Sequence, residues 1–402
     1  MGSYSGLSVQ NLELLWNKSD VIGMELFRPE DKKITLPTNE DEYLVCKYSC
    51  PASIVIDRLK AMDHKTEDIE IGQKTYIHQL MENYLELNET PDPEVVKRIN
   101  DFSFNVWKDT IRLMFAGHHS DKNPFDQNYT LEDNFDIISN CYMDQSFFGV
   151  DAPCFSSILA ILELVDDKHN THVSLDYSEL VSGGYVEEED ELCKNSDFEK
   201  TVILTEGVSD RRFIERSLKV LYPHLFDYYS FLDFQELKLG GSASSLVHTV
   251  KAFSAAGIKN RIVAVFDNDT AAIDAMKPLN RLPVAKNIRI VTLPSLEFLN
   301  NYPTIGPQGL HNINVNGLAG SIELYFEESS LKDENQKLIP VVWKGFNESE
   351  QKYQGEISKK SIVQSQFEEI LNRIEAGDNV SNYNFDSMKK VFETIFGFKP
   401  IH

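Results

Sequence analysis

Four short apolar runs bounded by polar turns stand out between residues 200 and 295. They are Val202-Ile203-Leu204, Tyr228 to Leu232, Ile262-Val263-Ala264-Val265-Phe266 and Ile288-Arg289-Ile290-Val291. Runs rich in β-branched residues, with little polar alternation, predict strands buried on both faces. Between them the apolar spacing turns helical over Ser209 to Tyr222 and over Thr270 to Met276, which stops at Pro278. A further helix opens at Gly240-Gly241-Ser242 and runs to about Ala256, where Gly257 ends it. Strand and helix alternating at these intervals predict a parallel sheet with crossover helices.

The flanking segments read differently. Ile54 to Met62, Tyr76 to Leu87, Val95 to Phe115 and Phe155 to Val165 carry apolar residues at helical spacing, so residues 50–180 are expected to be mainly helical. The first 45 residues mix short apolar alternations with polar loops, and Asn128 to Asn134 and His172 to Tyr177 are candidates for short strands. Beyond the central block, residues 313–327, 356–375 and Tyr383 to Phe396 are expected to be helices, with Leu338 to Trp343 an edge strand. The turn Ser182-Gly183-Gly184 and the charge run Glu187-Glu188-Glu189-Asp190-Glu191 mark a solvated linker. The expected division is a mainly helical (α or α+β) domain over residues 1–196, an α/β domain over 197–345, and a helical extension over 346–402 packing on it.

Charge changes this picture in one respect. A net charge of −24 argues against a broad basic surface for nucleic acid. From Lys200 to Asn300, however, 13 Lys and Arg stand against 10 Asp and Glu, giving +3 and leaving −27 to the flanks. The central segment is therefore the part suited to face a polyanion. The five cysteines, Cys46, Cys50, Cys141, Cys154 and Cys193, are odd in number and scattered, and no export signal accompanies them. That pattern points to reduced thiols in the cytoplasm, with Cys46 and Cys50 as small buried hydrophobes. No apolar run approaches the ~20 residues needed to span a bilayer, so no membrane partner is expected.

In open parallel sheets, sites form just beyond the carboxyl ends of the strands. Glu206-Gly207-Val208-Ser209-Asp210 follows the first apolar run, and Asp267-Asn268-Asp269 follows the third. Gly207 is expected to permit a tight turn. Asp210 falls in the first turn of the next helix, where it either complements the helix dipole or points back toward the site. Carboxylates gathered at adjacent strand ends repel one another unless a cation sits among them. Mg²⁺, or Mn²⁺, suits such a site as one ion or two, because it takes few protein carboxylates and bridges to phosphate.

Hydrophobic strand, Glu-Gly-x-x-Asp, helix, strand, glycine at a helix start, strand and Asp-x-Asp together resemble the TOPRIM domain. That domain occurs in bacterial primases, topoisomerases, small RNA-maturing nucleases and the overcoming-lysogenization-defect nucleases. The resemblance implies an α/β TOPRIM fold, a Rossmann-like parallel sheet flanked by helices. It also implies Glu206 as metal ligand or general acid/base, Asp267 and Asp269 as Mg²⁺ ligands, and Asp210 as a further ligand in the nuclease branch. In that branch a late Glu serves a second metal. Glu323, on an expected helix after Gly320 and Ser321, is the candidate, with an exposed helix Glu as the alternative. Lys360, or Lys344, is a candidate for stabilising charge on a pentavalent phosphate, although solvated lysine is the commoner outcome. Gly240, Gly241 and Ser242 either cradle a phosphate or form a turn with Ser242 as N-cap.

A helical first half, this core, Ser321-Ile322-Glu323 and Tyr353-Gln354-Gly355-Glu356 together resemble the HEPN/TOPRIM-associated bacterial proteins linked with defence against phage. Arg112 with His118 or His119 has the Arg-x₄₋₆-His spacing of HEPN ribonucleases. Arg58 and His64 match it equally, and a structural histidine is the plainer reading of both. The resemblance implies a nuclease effector. The leading expectation is a Mg²⁺-dependent nuclease of DNA or RNA, tRNA included, with Glu206, Asp267, Asp269 and Lys360 as its catalytic candidates. The first domain would regulate it, bind a partner such as an ATPase, or join copies into a homo-oligomer. The alternative is a non-catalytic regulatory or sensor subunit with a metal- or nucleotide-binding site.

Overall fold

The computed structural model describes residues 3–37, 44–118, 131–139, 147–187, 198–232, 242–281 and 283–402. The chain divides into two compact units, Met1–Phe198 with Ile401–His402, and Glu199–Pro400. Among the described residues no helix is long and apolar enough to cross a membrane.

The first unit takes the α+β form of the two expected of it. Strands β1 (Tyr4–Val9), β2 (Leu12–Lys18), β3 (Lys32–Thr35), β4 (Val45–Pro51) and β5 (His172–Asp176) form one antiparallel sheet in the order β2-β1-β5-β4-β3. Leu7 and Val9 of β1 and Leu12 and Leu14 of β2 alternate into the core, the expected pattern of a sheet buried on one face. The helices are α1 (Ala52–Ala61), α2 (Ile69–Leu87), α3 (Pro93–Asp101), α4 (Phe104–Phe115), α5 (Asn134–Ile138), α6 (Cys154–Glu163) and α7 (Ser178–Ser182). The single helix expected over Val95 to Phe115 is two, because Ser103 starts a new one by accepting the Val106 N–H. Cys46 and Cys50 are both buried on β4. Residues 128–130 and the charge run from 188 onward lie outside the described residues.

The second unit is built on four parallel strands in the order β10-β8-β6-β7. These are β6 (Thr201–Thr205), β7 (Tyr229–Phe231), β8 (Ile262–Phe266) and β10 (Ile288–Thr292), close to the four apolar runs. Helix α8 (Val208–Leu221) follows β6, and α9 (Ala243–Ala256) precedes β8. The two-residue strand β9 (Asn268–Asp269) then leads into α10 (Thr270–Met276). One face of the sheet, carrying Leu204, Ile262, Ala264 and Phe266, packs on Leu246, Val247 and Val250 of α9 and Ala272 of α10.

Downstream, the helix expected over residues 313–327 is absent. The chain instead makes a hairpin, β11 (Tyr302–Gly306) and β12 (Gly309–Ile313), the short strand β13 (Ala319–Gly320), and a 3-10 turn over Ile322–Tyr325. The strand expected at the edge near Leu338 is β14 (Val341–Asn347). It lies inside a second sheet of order β12-β11-β14-β15, between β11 and β15 (Lys352–Ile357). Helices α11 (Lys360–Glu375) and α12 (Asp386–Phe396) complete the unit, α12 touching both α8 and β10.

Candidate metal centre

Strands β6 and β8 are neighbours in a parallel register that pairs Thr205 with Val265. They end together, which sets Glu206 and Asp267 side by side at the carboxyl edge of the sheet. The backbone N–H of Asp267 donates to Glu206 Oε1 at 2.8 Å. The first acidic cluster is thus bonded directly to the second. Gly207 has an extended backbone, φ −134° and ψ 164°, so no special turn requires it. Its reason is space: a Cβ there would lie 3.1 Å from Asp210 Oδ2. That oxygen accepts the Gly207 N–H at 2.8 Å, so Asp210 does close the first turn of α8.

Asp269 is buried and has both oxygens engaged. Oδ1 caps α10 by accepting the Ala272 N–H at 2.8 Å, and Oδ2 accepts from Gln354 Nε2 at 2.6 Å. Gln354 Oε1 in turn accepts the Ala271 N–H at 2.9 Å, so β15 and the start of α10 are stitched together around Asp269.

Glu323 arrives by way of β13, which pairs antiparallel with β9. Only glycine allows this pairing at position 320, where a Cβ would lie 2.6 Å from the Asn268 carbonyl oxygen. Three residues on, Glu323 is 0% exposed. Its Oε1 accepts from Gln364 Nε2 at 2.7 Å and stands 3.1 Å from Lys360 Nζ. Its Oε2 is buried with no hydrogen-bond partner. Glu323 is therefore not the exposed helix Glu that its local sequence allowed.

Burial, then the surrounding charge, governs ionisation here. Burial pushes Glu206 up to about 8, with the Asp267 N–H opposing and Asp269 and Asp210 adding to the rise. Asp210 rises to about 6 through burial and Glu323, with Lys360 opposing. Asp267 lies well above the usual carboxylate range, through burial and then Asp210, Glu206, Asp269 and Glu323. Burial pulls the Lys360 ammonium down, but Glu323, Asp210 and Asp267 outweigh it and its pKa is raised. Five carboxylates thus sense one another, with an ammonium among them.

This setting fits a divalent cation. The site holds excess negative charge, and the buried, unpartnered Glu323 Oε2 lacks the donor such an oxygen normally has. Among the described residues, no three His, Cys, Asp or Glu side chains are close enough to cage an ion as they stand. Mg²⁺ does not demand such a cage, since it keeps several waters.

The other candidates lie as follows. Ser242 accepts the Ser245 N–H at 3.2 Å as the N-cap of α9, while Gly240 and Gly241 lie outside the described residues. Lys344 is exposed and paired with Glu356 at 3.1 Å. Arg112 is exposed on α4 and pairs with Asp109. His118 stacks on Phe135, and His119 lies outside the described residues. Arg58 is buried in an ion pair with Asp31 at 2.5 Å and donates to the Leu26 carbonyl, a structural role. Neither Gln354 nor Gln364 is marked by a local pattern as a partner of the acidic residues.

Fold and site together define an α/β protein with an acidic centre at the carboxyl edge of a parallel sheet. The family model of the HEPN/Toprim N-terminal domain 1 matches residues 1–200. That match covers just under half of the chain and fits the HEPN/TOPRIM-associated family. No curated protein and no solved structure matches the chain.

Proposed function

We propose that the second unit is a TOPRIM nuclease unit that hydrolyses phosphodiester bonds of DNA or RNA, tRNA included, with Mg²⁺ or Mn²⁺ as cofactor. The observation that carries this reading is the bonded meeting of Glu206 and Asp267 at adjacent strand ends, with Asp210, Asp269 and Glu323 in electrostatic range. Glu206, Asp210 and Asp267 would hold one ion together with Asp269, and Glu323 offers a carboxylate for a second. A bound cation would neutralise phosphate charge and orient water beside it. Glu206, pushed up to about 8, is suited to take and return a proton near neutral pH. Lys360 is 37% exposed, so its ammonium is steadied by Glu323 yet reachable, and it would offset charge developing on the phosphoryl oxygens. The family placement suggests a nuclease-like, defence-associated protein and supports a role as an effector against phage. The first unit would then regulate it, bind a partner such as an ATPase, or mediate self-association.

The test is cleavage of plasmid, single-stranded DNA and tRNA by purified protein with Mg²⁺ or Mn²⁺. Asp267→Ala is expected to lower cleavage by about 100-fold or more. Unchanged cleavage would remove the acidic centre from the mechanism. A second reading, a regulatory subunit whose site binds a cation or nucleotide without catalysis, draws on the structural use of both Asp269 oxygens. Stabilisation by Mg²⁺ without cleavage of any nucleic acid would favour it.

A further inference from the structure

The first unit contains a slot that grips backbone. Asp57, on α1, is 0% exposed. Its Oδ1 accepts the Ile401 N–H at 2.9 Å, and its Oδ2 accepts the N–H of Ile401 at 3.0 Å and of His402 at 3.1 Å. The Ile401 side chain packs against the core of the first unit, and the His402 ring lies 6.3 Å from that of His169. The wall bearing His169 is fastened to α1, because Ala52 donates to the Thr171 carbonyl at 2.8 Å and Ser53 to that of Lys168 at 2.9 Å.

These parts have the character of a binding site. A buried carboxylate is costly unless it is hydrogen-bonded, and adjacent backbone N–H groups satisfy it whatever their side chains. Selectivity then rests on the apolar anchor Ile401 and on the imidazole beside His169. The chain leaves the first unit after Phe198 and rejoins it only at Ile401, so this ligand comes from the far side of a 202-residue excursion (residues 199–400). We propose that the Asp57 slot is a peptide-binding site whose ligand is Ile401-His402 of the same chain, forming a clasp that opens and can be refilled. The proposal is independent of the acidic centre.

Two altered proteins test it, the full chain with Ile401→Pro, which removes the shared N–H, and a chain ending at Pro400. Each is expected to melt about 4–8 °C below the unaltered protein. A labelled synthetic peptide of residues 397–402 should bind the shortened chain saturably and restore its melting temperature. It should bind the unaltered protein about tenfold more weakly or worse, because the tethered segment fills the slot. The same peptide with Ile401→Pro should not bind, and Asp57→Asn in the shortened chain should weaken binding about tenfold. Should Asp57→Asn fail to fold, the proline peptide decides the matter alone. Unchanged melting temperatures, non-saturable binding, or equal binding of the proline peptide would each overturn the proposal.

Discussion

Asp269 and Glu323 are both buried carboxylates, yet their surroundings assign them different work. Asp269 spends one oxygen capping α10 and the other on Gln354, so it holds the loop in shape as much as it contributes charge. Glu323 keeps one oxygen unpartnered and relies on Lys360 and Gln364 for the other. Removing Lys360 leaves a buried charge without its ammonium. Because Lys360 is 37% exposed, the loss falls below that of a fully buried pair. Lys360→Met is expected to cost about 1–2 kcal/mol in urea unfolding. The double variant Lys360→Met/Glu323→Gln should recover most of it, and a double variant as unstable as the single would show that the two residues are not coupled. The acidic residues were legible because strand ends in a parallel sheet are where such chemistry gathers. The partner glutamines were not, since nothing in the sequence around Gln354 or Gln364 pairs either amide with a particular carboxylate.

The decisive element for the centre is the two-residue pairing of β9 with β13. It draws the turn bearing Glu323 against the Asp-x-Asp loop. Any side chain at position 320 would meet the Asn268 backbone, so Gly320→Val must separate the strands. A loss of about 2–3 kcal/mol in chemical denaturation is expected, together with loss of any stabilisation by Mg²⁺. A Gly320→Val protein as stable as the parent would contradict the close approach. The four parallel strands were visible because both faces are buried and the apolar run is unbroken. The antiparallel sheet of the first unit was legible only in part. Strand β5 falls on the candidate at His172 to Tyr177 and alternates in burial, but its partners β1 and β4 lie more than a hundred residues away, and no local spacing records that pairing.

For the whole molecule, the clustered carboxylates tie stability to pH. In the folded chain Glu206 holds its proton up to about 8 and Asp210 up to about 6, whereas unfolded carboxylates release theirs near pH 4. The folded state therefore binds more protons across this window, and metal-free stability should fall as pH rises from about 4 to about 8. A bound cation takes the place of those protons, so the rise in melting temperature on adding Mg²⁺ should grow with pH over the same interval. Differential scanning calorimetry with and without Mg²⁺ checks this. An increment that is absent, or constant with pH, would argue against a cation among these groups.

The sequence by itself determined the parallel strands, the acidic residues at two of their ends, and the concentration of positive charge in that segment. Each follows from local spacing, because a buried strand needs an apolar run and the turn after it carries the polar residues. Tertiary structure alone decided that Glu206 and Asp267 are bonded neighbours, that Glu323 is buried beside Lys360, and that residues 401–402 return to Asp57. Those contacts join residues 37 to 345 positions apart. Strand register and close backbone approach select such partners, and no short stretch of sequence records either.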